Sequence, residues 1–199
     1  MSEEVTLAPT DTYLKAGIHI GTKNKTSYMS KFIYKTRSDG LSVLNLQEID
    51  KRIAVAAKFL ANYAPEDVII VSRREGSFKA LEKMKEILGI KIFTGRYPPG
   101  TLTNPQLDTF VEGKIIVISD PYTDKSAISD AFRAGIVTIG LCDTNNETNE
   151  LDLAIPCNNK GKKSLGLVFY LLTREYMIAR KLIKNEKEFE YKLEDFVEE

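Results

Sequence analysis

The sequence predicts an α/β protein built on a doubly wound, five-stranded parallel sheet with helices on both faces. Three observations carry that reading. Short apolar runs rich in Val and Ile recur at 67–72 (DVIIVS), 90–94, 114–119 (KIIVIS), 136–141 and 153–156. Their sides do not alternate between apolar and polar, as expected for strands buried on both faces. Helix-like or loop segments long enough for right-handed crossovers separate them, so the loops after each strand share one edge of the sheet.

Taken in order, residues 1–11 are expected to be loosely attached. A short helix begins near Tyr13 and stops at Gly17. Residues 22–31 are polar and cationic, with no period. Residues 31–36 and 41–46 are strand-like, and Asp39-Gly40 between them signals a hairpin. A helix over 48–64 buries Ile49, Ile53, Ala56, Leu60 and Tyr63, and Pro65 follows it. Helices are expected at 77–88, closed by Gly89, at 105–111 after a Pro- and Gly-rich loop, and at 125–133. Residues 143–150 form a polar loop.

The last strand leads into a basic turn, NNKGKK at 158–163, and a long helix with Ser164 as its expected N-cap. Leu165, Val168, Phe169, Leu172, Tyr176, Ala179 and Ile183 recur on one face of that helix, with Arg174, Lys181 and Lys184 together on another. The whole reads as a single domain over 1–199: a basic arm and the start of the hairpin over 1–40, an α/β core over 41–184, and an acidic tail over 185–199.

Composition is that of an ordinary globular chain, 43% hydrophobic and 28% charged. No apolar run is long enough for a membrane span, and the acidic start, MSEEVTLAPTD, is unlike a signal peptide. Two cysteines and one histidine are too few for a zinc cluster, so Cys142 and Cys157 read as buried thiols of a reduced, cytoplasmic protein. The net charge is zero, yet its distribution is uneven. Residues 15–37 carry six cations and no acid; residues 160–184 carry seven basic residues against Glu175 alone; residues 185–199 carry seven acids and two lysines. Segregation of this kind suits one surface that faces a polyanion.

An enzyme on such a sheet would work at the carboxyl edge, where Asp120, Asp124 and Asp143 fall. Asp directly after a strand is equally a turn or cap residue, and no nucleophile has a base beside it. Gly161-Lys162-Lys163-Ser164 resembles the end of a P-loop, but Pro156 stands where the first Gly is needed and an extra Lys intervenes. No catalytic residue, metal or cofactor is therefore expected.

RNA binding is better supported. Cations alternate with Tyr13, Tyr28, Phe32 and Tyr34, which suits phosphate pairing together with base stacking, although Phe32 and Tyr34 also suit a half-buried strand. The candidate contacts in the arm are Lys15, His19, Lys23, Asn24, Lys25, Lys31, Lys35 and Arg37. At the carboxyl edge they are Arg73, Arg74, Arg96, Asn158, Lys160, Lys162 and Lys163. Arg96 sits on a stiff loop, with an internal salt bridge to an acid such as Asp120 as its alternative. The segment from Lys15 to Lys31, short of large apolar residues, is expected to order only on assembly.

Six segments carry a family resemblance: AGIHIGTKN at 16–24, DGLSVLNL at 39–46, GRYPPGTLTN at 95–104, SDP at 119–121, IVTIGLCDTN at 136–145 and IPCNNKG at 155–161. Together, in this order, they resemble the universal small-subunit ribosomal protein S-two family, whose animal members are also called the laminin-receptor precursor. Thr22 in place of a second His, the missing helical-hairpin insertion and Cys157-Asn-Asn-Lys-Gly161 are features of the archaeal and eukaryotic type. The sequence also lacks the long acidic extension of animal members, which gives no basis for a receptor role. The resemblance implies a flavodoxin-like core in the small ribosomal subunit, on its back between head and body near the messenger exit. The partners it implies are small-subunit rRNA and neighbouring ribosomal proteins, with no membrane and no stable homo-oligomer. The competing reading is a flavodoxin-like enzyme or small-ligand binder.

Overall fold

The computed structural model describes residues 6–197. Strands β1 (Ile33–Thr36) and β2 (Ser42–Leu44) form an antiparallel hairpin. Strands β3 (Val68–Ser72), β4 (Lys91–Thr94), β5 (Ile115–Ile118), β6 (Val137–Cys142) and β7 (Leu153–Pro156) form one all-parallel sheet in the order β4-β3-β5-β6-β7. Counted within the sheet this is two-one-three-four-five, the flavodoxin-like order, and the direction of winding reverses between β3 and β5.

Successive residues of each central strand enter opposite cores. Val68, Ile70, Ile115, Val117, Ile139 and Leu141 pack under three helices, α2 (Leu46–Leu60), α3 (Phe78–Leu88) and α5 (Lys162–Ala179). Ile69, Val71, Ile116 and Ile118 pack under α4 (Lys125–Ala134) and the long segment that carries Tyr97 and Leu102.

That long segment holds the first departure from expectation. No helix forms over 105–111; the β4-to-β5 crossover is a chain of turns. The Asn104 side-chain oxygen accepts the Gln106 N–H at 3.1 Å, and Phe110 N–H donates to Leu107 at 2.9 Å. These local bonds close single turns in place of the i-to-i−4 ladder, as Asn followed by Pro favours.

Helix α2 begins at Leu46, because the Asn45 side chain accepts the Gln47 N–H, and ends four residues before the expected 64. Helix α5 also starts early. The Asn158 side-chain oxygen accepts the N–H groups of Lys160 (3.1 Å) and Gly161 (3.2 Å), so the turn closes ahead of Lys162. Ser164 is thus inside the first turn, and its hydroxyl donates to the Asn158 carbonyl at 2.7 Å; it is not the N-cap. The helix ends at Ala179, with Lys181 in the left-handed region at φ 60°, so Ile183, Lys181 and Lys184 lie beyond it. Ala179 is exposed. Arg174 is buried rather than facing outward with the lysines: it donates to the Leu7 carbonyl and pairs with Glu175 and Glu186. Helix α5 is enclosed nearly all round, as a central helix should be.

The acidic tail folds back on this helix. Phe189 and Phe196, the latter in the short helix α6 (Leu193–Phe196), meet the Tyr170 ring edge-on at 5.4 and 5.5 Å. Lys79 of α3 donates to the carbonyls of Glu194 and Val197. Gly166 permits the approach: a Cβ there would lie 2.8 Å from the Phe196 carbonyl oxygen.

The basic arm is likewise seated rather than free. Helix α1 (Thr10–Ala16) starts ahead of Tyr13 and ends at Gly17, whose φ of 68° suits glycine. Ile18, Met29 and Phe32 are buried anchors. Between them the backbone is stitched in place: Leu44 N–H to His19, Gly21 N–H to Ser42, Thr26 N–H to Thr144, and Asn158 N–H to Ile18, all between 2.8 and 2.9 Å. The expectation that 15–31 lacks enough burial overlooked how well three apolar residues can be placed when their backbone neighbours are satisfied. Residues 6–9, expected to be loose, are tied down too, since the Leu7 N–H donates to Asp50 at 3.0 Å; residues 1–5 lie outside the described residues.

Candidate nucleic-acid interface

The carboxyl edge is built from the loops after β3, β4, β5, β6 and β7, with the arm laid across the last two. Its three aspartates are buried and occupied. Asp120 accepts two N–H groups of Arg74, the Tyr122 backbone N–H (3.0 Å) and the Asn146 amide (3.0 Å). Asp143 accepts Lys160 Nζ and the Thr144 N–H, both at 2.6 Å. Asp124, at the start of α4, accepts the Arg73 backbone N–H at 3.4 Å, and burial raises its carboxyl to about 6. The carboxylates therefore serve as turn and ion-pair groups, and Asp124, though at the N-cap position, ties the β3 loop instead of capping α4.

Other chemistry is equally sparse. Burial pushes both cysteine thiols above their usual range and holds His19 below the usual histidine range. Among the described residues no cluster of His, Cys, Asp and Glu could hold a metal ion, and no helix is long and apolar enough to cross a membrane.

The candidate cations divide into two groups. Some are spent on the fold. Arg74 holds Asp120, and Lys160 holds Asp143 while also donating to the Asn145 side chain at 3.0 Å. Asn158 shapes the turn before α5 and donates to the Gly17 carbonyl. Lys162 packs its stem on Gly76. His19 is half-buried in an apolar cleft between α1 and the hairpin, which Leu14, Ile20 and Tyr34 also line.

The remainder are exposed: Lys15, Lys23, Asn24, Lys25, Lys31, Lys35 and Arg37 on the arm and hairpin, Arg73 and Arg96 at the edge, and Lys163 in the first turn of α5. Lys31 lies over the Tyr28 ring at 3.5 Å, and Arg37 pairs with Asp39 across solvent at 3.3 Å. Lys15 and Lys163 line one groove between α1 and α6.

Of the interleaved aromatics, only two stay available. Tyr28 is 42% and Tyr34 70% exposed, whereas Phe32 and Tyr13 are core residues. Phe32 sits in the turn before β1, and the pairing register slips between Ile33 and Lys35, so Phe32 and Tyr34 part company despite their i, i+2 spacing.

Several residues that organise the edge escaped sequence reasoning. Asp130, on α4, accepts the Tyr97 hydroxyl (3.2 Å) and the Gly100 N–H (2.7 Å) and so fixes the loop that presents Arg96. Burial together with that carboxylate pushes the Tyr97 phenol well above its usual range. Thr144, Asn146 and Asn159 form the hydrogen-bonded hub that joins arm, β6 loop and β7 loop. Their signals were the polar runs directly after fully buried strands and, for Thr144 and Asn159, their place in the 136–145 and 155–161 segments.

The carboxyl edge thus carries a part-buried Arg74–Asp120 pair and a cationic arm laid across it. The model of the family "Ribosomal protein S2" matches residues 13–112 and 108–177. The chain belongs to the ribosomal protein S2 family. Curated relatives agree over nearly the whole length. The small ribosomal subunit protein uS2 of Methanococcus maripaludis strain C6 is 48% identical over 198 residues, covering 100% of this chain and 89% of that one. That of Nanoarchaeum equitans is 44% identical, covering 96% and 95%, and that of Thermoplasma acidophilum 42%, covering 98% of each. Within the S2 family, then, the archaeal and eukaryotic form of the 157–161 turn goes with relatives such as these, similar over nearly the whole chain.

Proposed function

We propose that this protein is a structural constituent of the small ribosomal subunit that binds rRNA and neighbouring ribosomal proteins, and that it works in the cytoplasm without catalysis or cofactor. Its place is between head and body, near the messenger exit, and its arm, core and tail act as one unit in assembly and translation. One observation carries the reading. At the reversal point, where a flavodoxin-like enzyme keeps its ligand, Arg74 and Asp120 close on each other, while exposed cations of the arm and neighbouring loops surround that closed edge. Membership of the family and the names of the relatives support it.

The contacts assigned to RNA are the exposed ones outside the Lys160 and Lys162 contacts described above: Lys15, Lys23, Asn24, Lys25, Lys31, Lys35, Arg37, Arg73, Arg96 and Lys163. Phosphate pairing supplies the affinity, and Tyr28 or Tyr34 offers a ring to an unpaired base. Crosslinking within whole ribosomes, with the crosslinked nucleotides read out, tests this. Crosslinks from the arm to small-subunit rRNA are expected. Absence of the protein from purified subunits, or a flavin or nucleotide retained through purification, would favour the enzyme or small-ligand reading.

A further inference from the structure

The loops after β3, β4 and β5 enclose a cleft of about 330 Å³, lined by Arg73, Arg96, Tyr97, Pro99, Thr123, Asp124 and Ser126 and not by the Arg74–Asp120 pair. Its cations differ from those beside it. Arg74 and Lys160 are committed to buried aspartates. Neither the Arg73 nor the Arg96 guanidinium has an acceptor among the described residues, and both are exposed.

Arg96 is also held ready. Its loop turns at Gly95, with φ 83°, and the Gly95 N–H donates to Ser72 at 2.9 Å. Tyr97, next in sequence, is buried against Phe93 and donates to Asp130, which also accepts the Gly100 N–H. Thr101 donates to the Pro98 carbonyl at 2.7 Å. These constraints on residues 95–101 fix the backbone from which Arg96 projects. Arg73 leaves β3 on the other wall, its backbone N–H tied to Asp124. The hydroxyls of Thr123 and Ser126 complete a polar lining, and Asp124 is the one acid in it.

We infer that this cleft seats a single phosphodiester of the bound rRNA, with Arg73 and Arg96 donating to its two non-bridging oxygens. The inference rests on the rRNA-binding reading and gives it a location. Two guanidiniums facing one polar cleft match the charge and the acceptor count of a phosphate. The lining offers a flat aromatic ligand only Tyr97 and Pro99, so a free flavin or nucleotide base would find little to bury against.

The test uses the full-length chain and an rRNA fragment recovered from the crosslinking above. Neither guanidinium makes a hydrogen bond or ion pair among the described residues, and Arg73 only eases the nearby Asp124 charge, so in Arg73→Gln and Arg96→Gln melting should change little while each lowers the salt slope of binding by about one. Ser126→Asp is the sharper variant. An acid in the first turn of α4 should keep or raise the melting temperature, yet weaken RNA binding by facing the phosphate. Arg133→Gln, at the far end of α4, should leave binding unchanged. Ethylation interference should mark one phosphate in the wild-type complex that Arg96→Gln no longer protects.

Wild-type binding with an unaltered slope in both Gln variants would overturn the inference while leaving the functional reading intact. Wild-type protein that fails to bind rRNA would overturn the functional reading itself. Inorganic phosphate, followed through the Arg side-chain NMR signals, should be displaced by the RNA; phosphate that stays bound in its presence would mark the cleft as a small-ligand site and reject the proposal.

Discussion

The Arg74 guanidinium donates from two nitrogens to a single oxygen of Asp120, across the point where the sheet reverses its winding. Asp120 is 1% exposed, and Arg74 is the cation it pairs with among the described residues. Removing one partner of such a pair strands a buried charge. Arg74→Ala should lower unfolding free energy by about 3 kcal/mol, and the same change should cost far less in an Asp120→Asn background. Urea melts of the four proteins in this cycle check the coupling.

Asp124 gives a prediction in pH. Burial raises its folded carboxyl to about 6, above the 3.8 of a free side chain. Between these values the folded state holds a proton that the unfolded state has lost, so stability falls as pH rises from about 4 to 6 and the penalty is complete above 6. Asp124→Asn should therefore stabilise the protein at pH 7 by about 3 kcal/mol and leave it nearly unchanged at about pH 3, below both values. A stability difference between the two proteins that does not vary with pH would contradict this.

The arm should resist protease in the isolated protein. Its seat depends on Gly21, where a Cβ would lie 2.5 Å from the Thr144 methyl group. Gly21→Ala should open the segment to trypsin at Lys23 and Lys25, while the core helices keep their protection from hydrogen exchange. Cleavage of wild-type protein as fast as that of the variant would show that the contacts to Thr144 do not hold the arm.

The arm lysines should act on RNA alone. Lys23→Gln with Lys25→Gln should reduce the dependence of log affinity on log salt by about 1.4 to 1.8 for two phosphate contacts. Both side chains are exposed, so the melting temperature should not move. Titrations of an rRNA fragment at several salt concentrations give the slope.

The tail behaves as part of the core. Phe196→Ala empties a fully buried site between Tyr170 and Gly166 and should cost about 3 kcal/mol. RNA affinity at a temperature where both proteins are folded should be unchanged, because five of the acids in 185–197 sit where their charges would repel phosphate. A loss of affinity in this variant would place the tail at the RNA.

Much of this fold was legible because its signals are local. A strand buried on both faces announces itself by composition, and Gly17, Gly89 and Gly135 stop their helices by taking a left-handed φ. What stayed hidden depends on partners distant in sequence. Arg74 and Arg96 are equally plausible mates for Asp120 on paper. Only the neighbouring of β3 and β5 decides between them, and periodicity does not encode strand order. Ser164 carries a strong capping signal, yet Asn158, six residues earlier, closes the turn through the Lys160 and Gly161 N–H groups, so the helix starts at Lys162 and the Ser164 hydroxyl donates back to the Asn158 carbonyl. Asp130 reads as one more polar residue on a short helix until the β4 loop is laid over it.

The stitching of the arm also imposes an order of events during synthesis. Thr22 meets Thr144 across 122 residues, and the Asn158 N–H reaches back to Ile18. A ribosome adding about 5 to 20 residues per second takes on the order of ten seconds to deliver those partners. Throughout that interval residues 15–37 are a nascent cationic segment with only the neighbouring hairpin to pair with, beside the RNA of the machine that is making them. Their final seat exists only once β6 and β7 have emerged, so the segment made early is among the last to be placed.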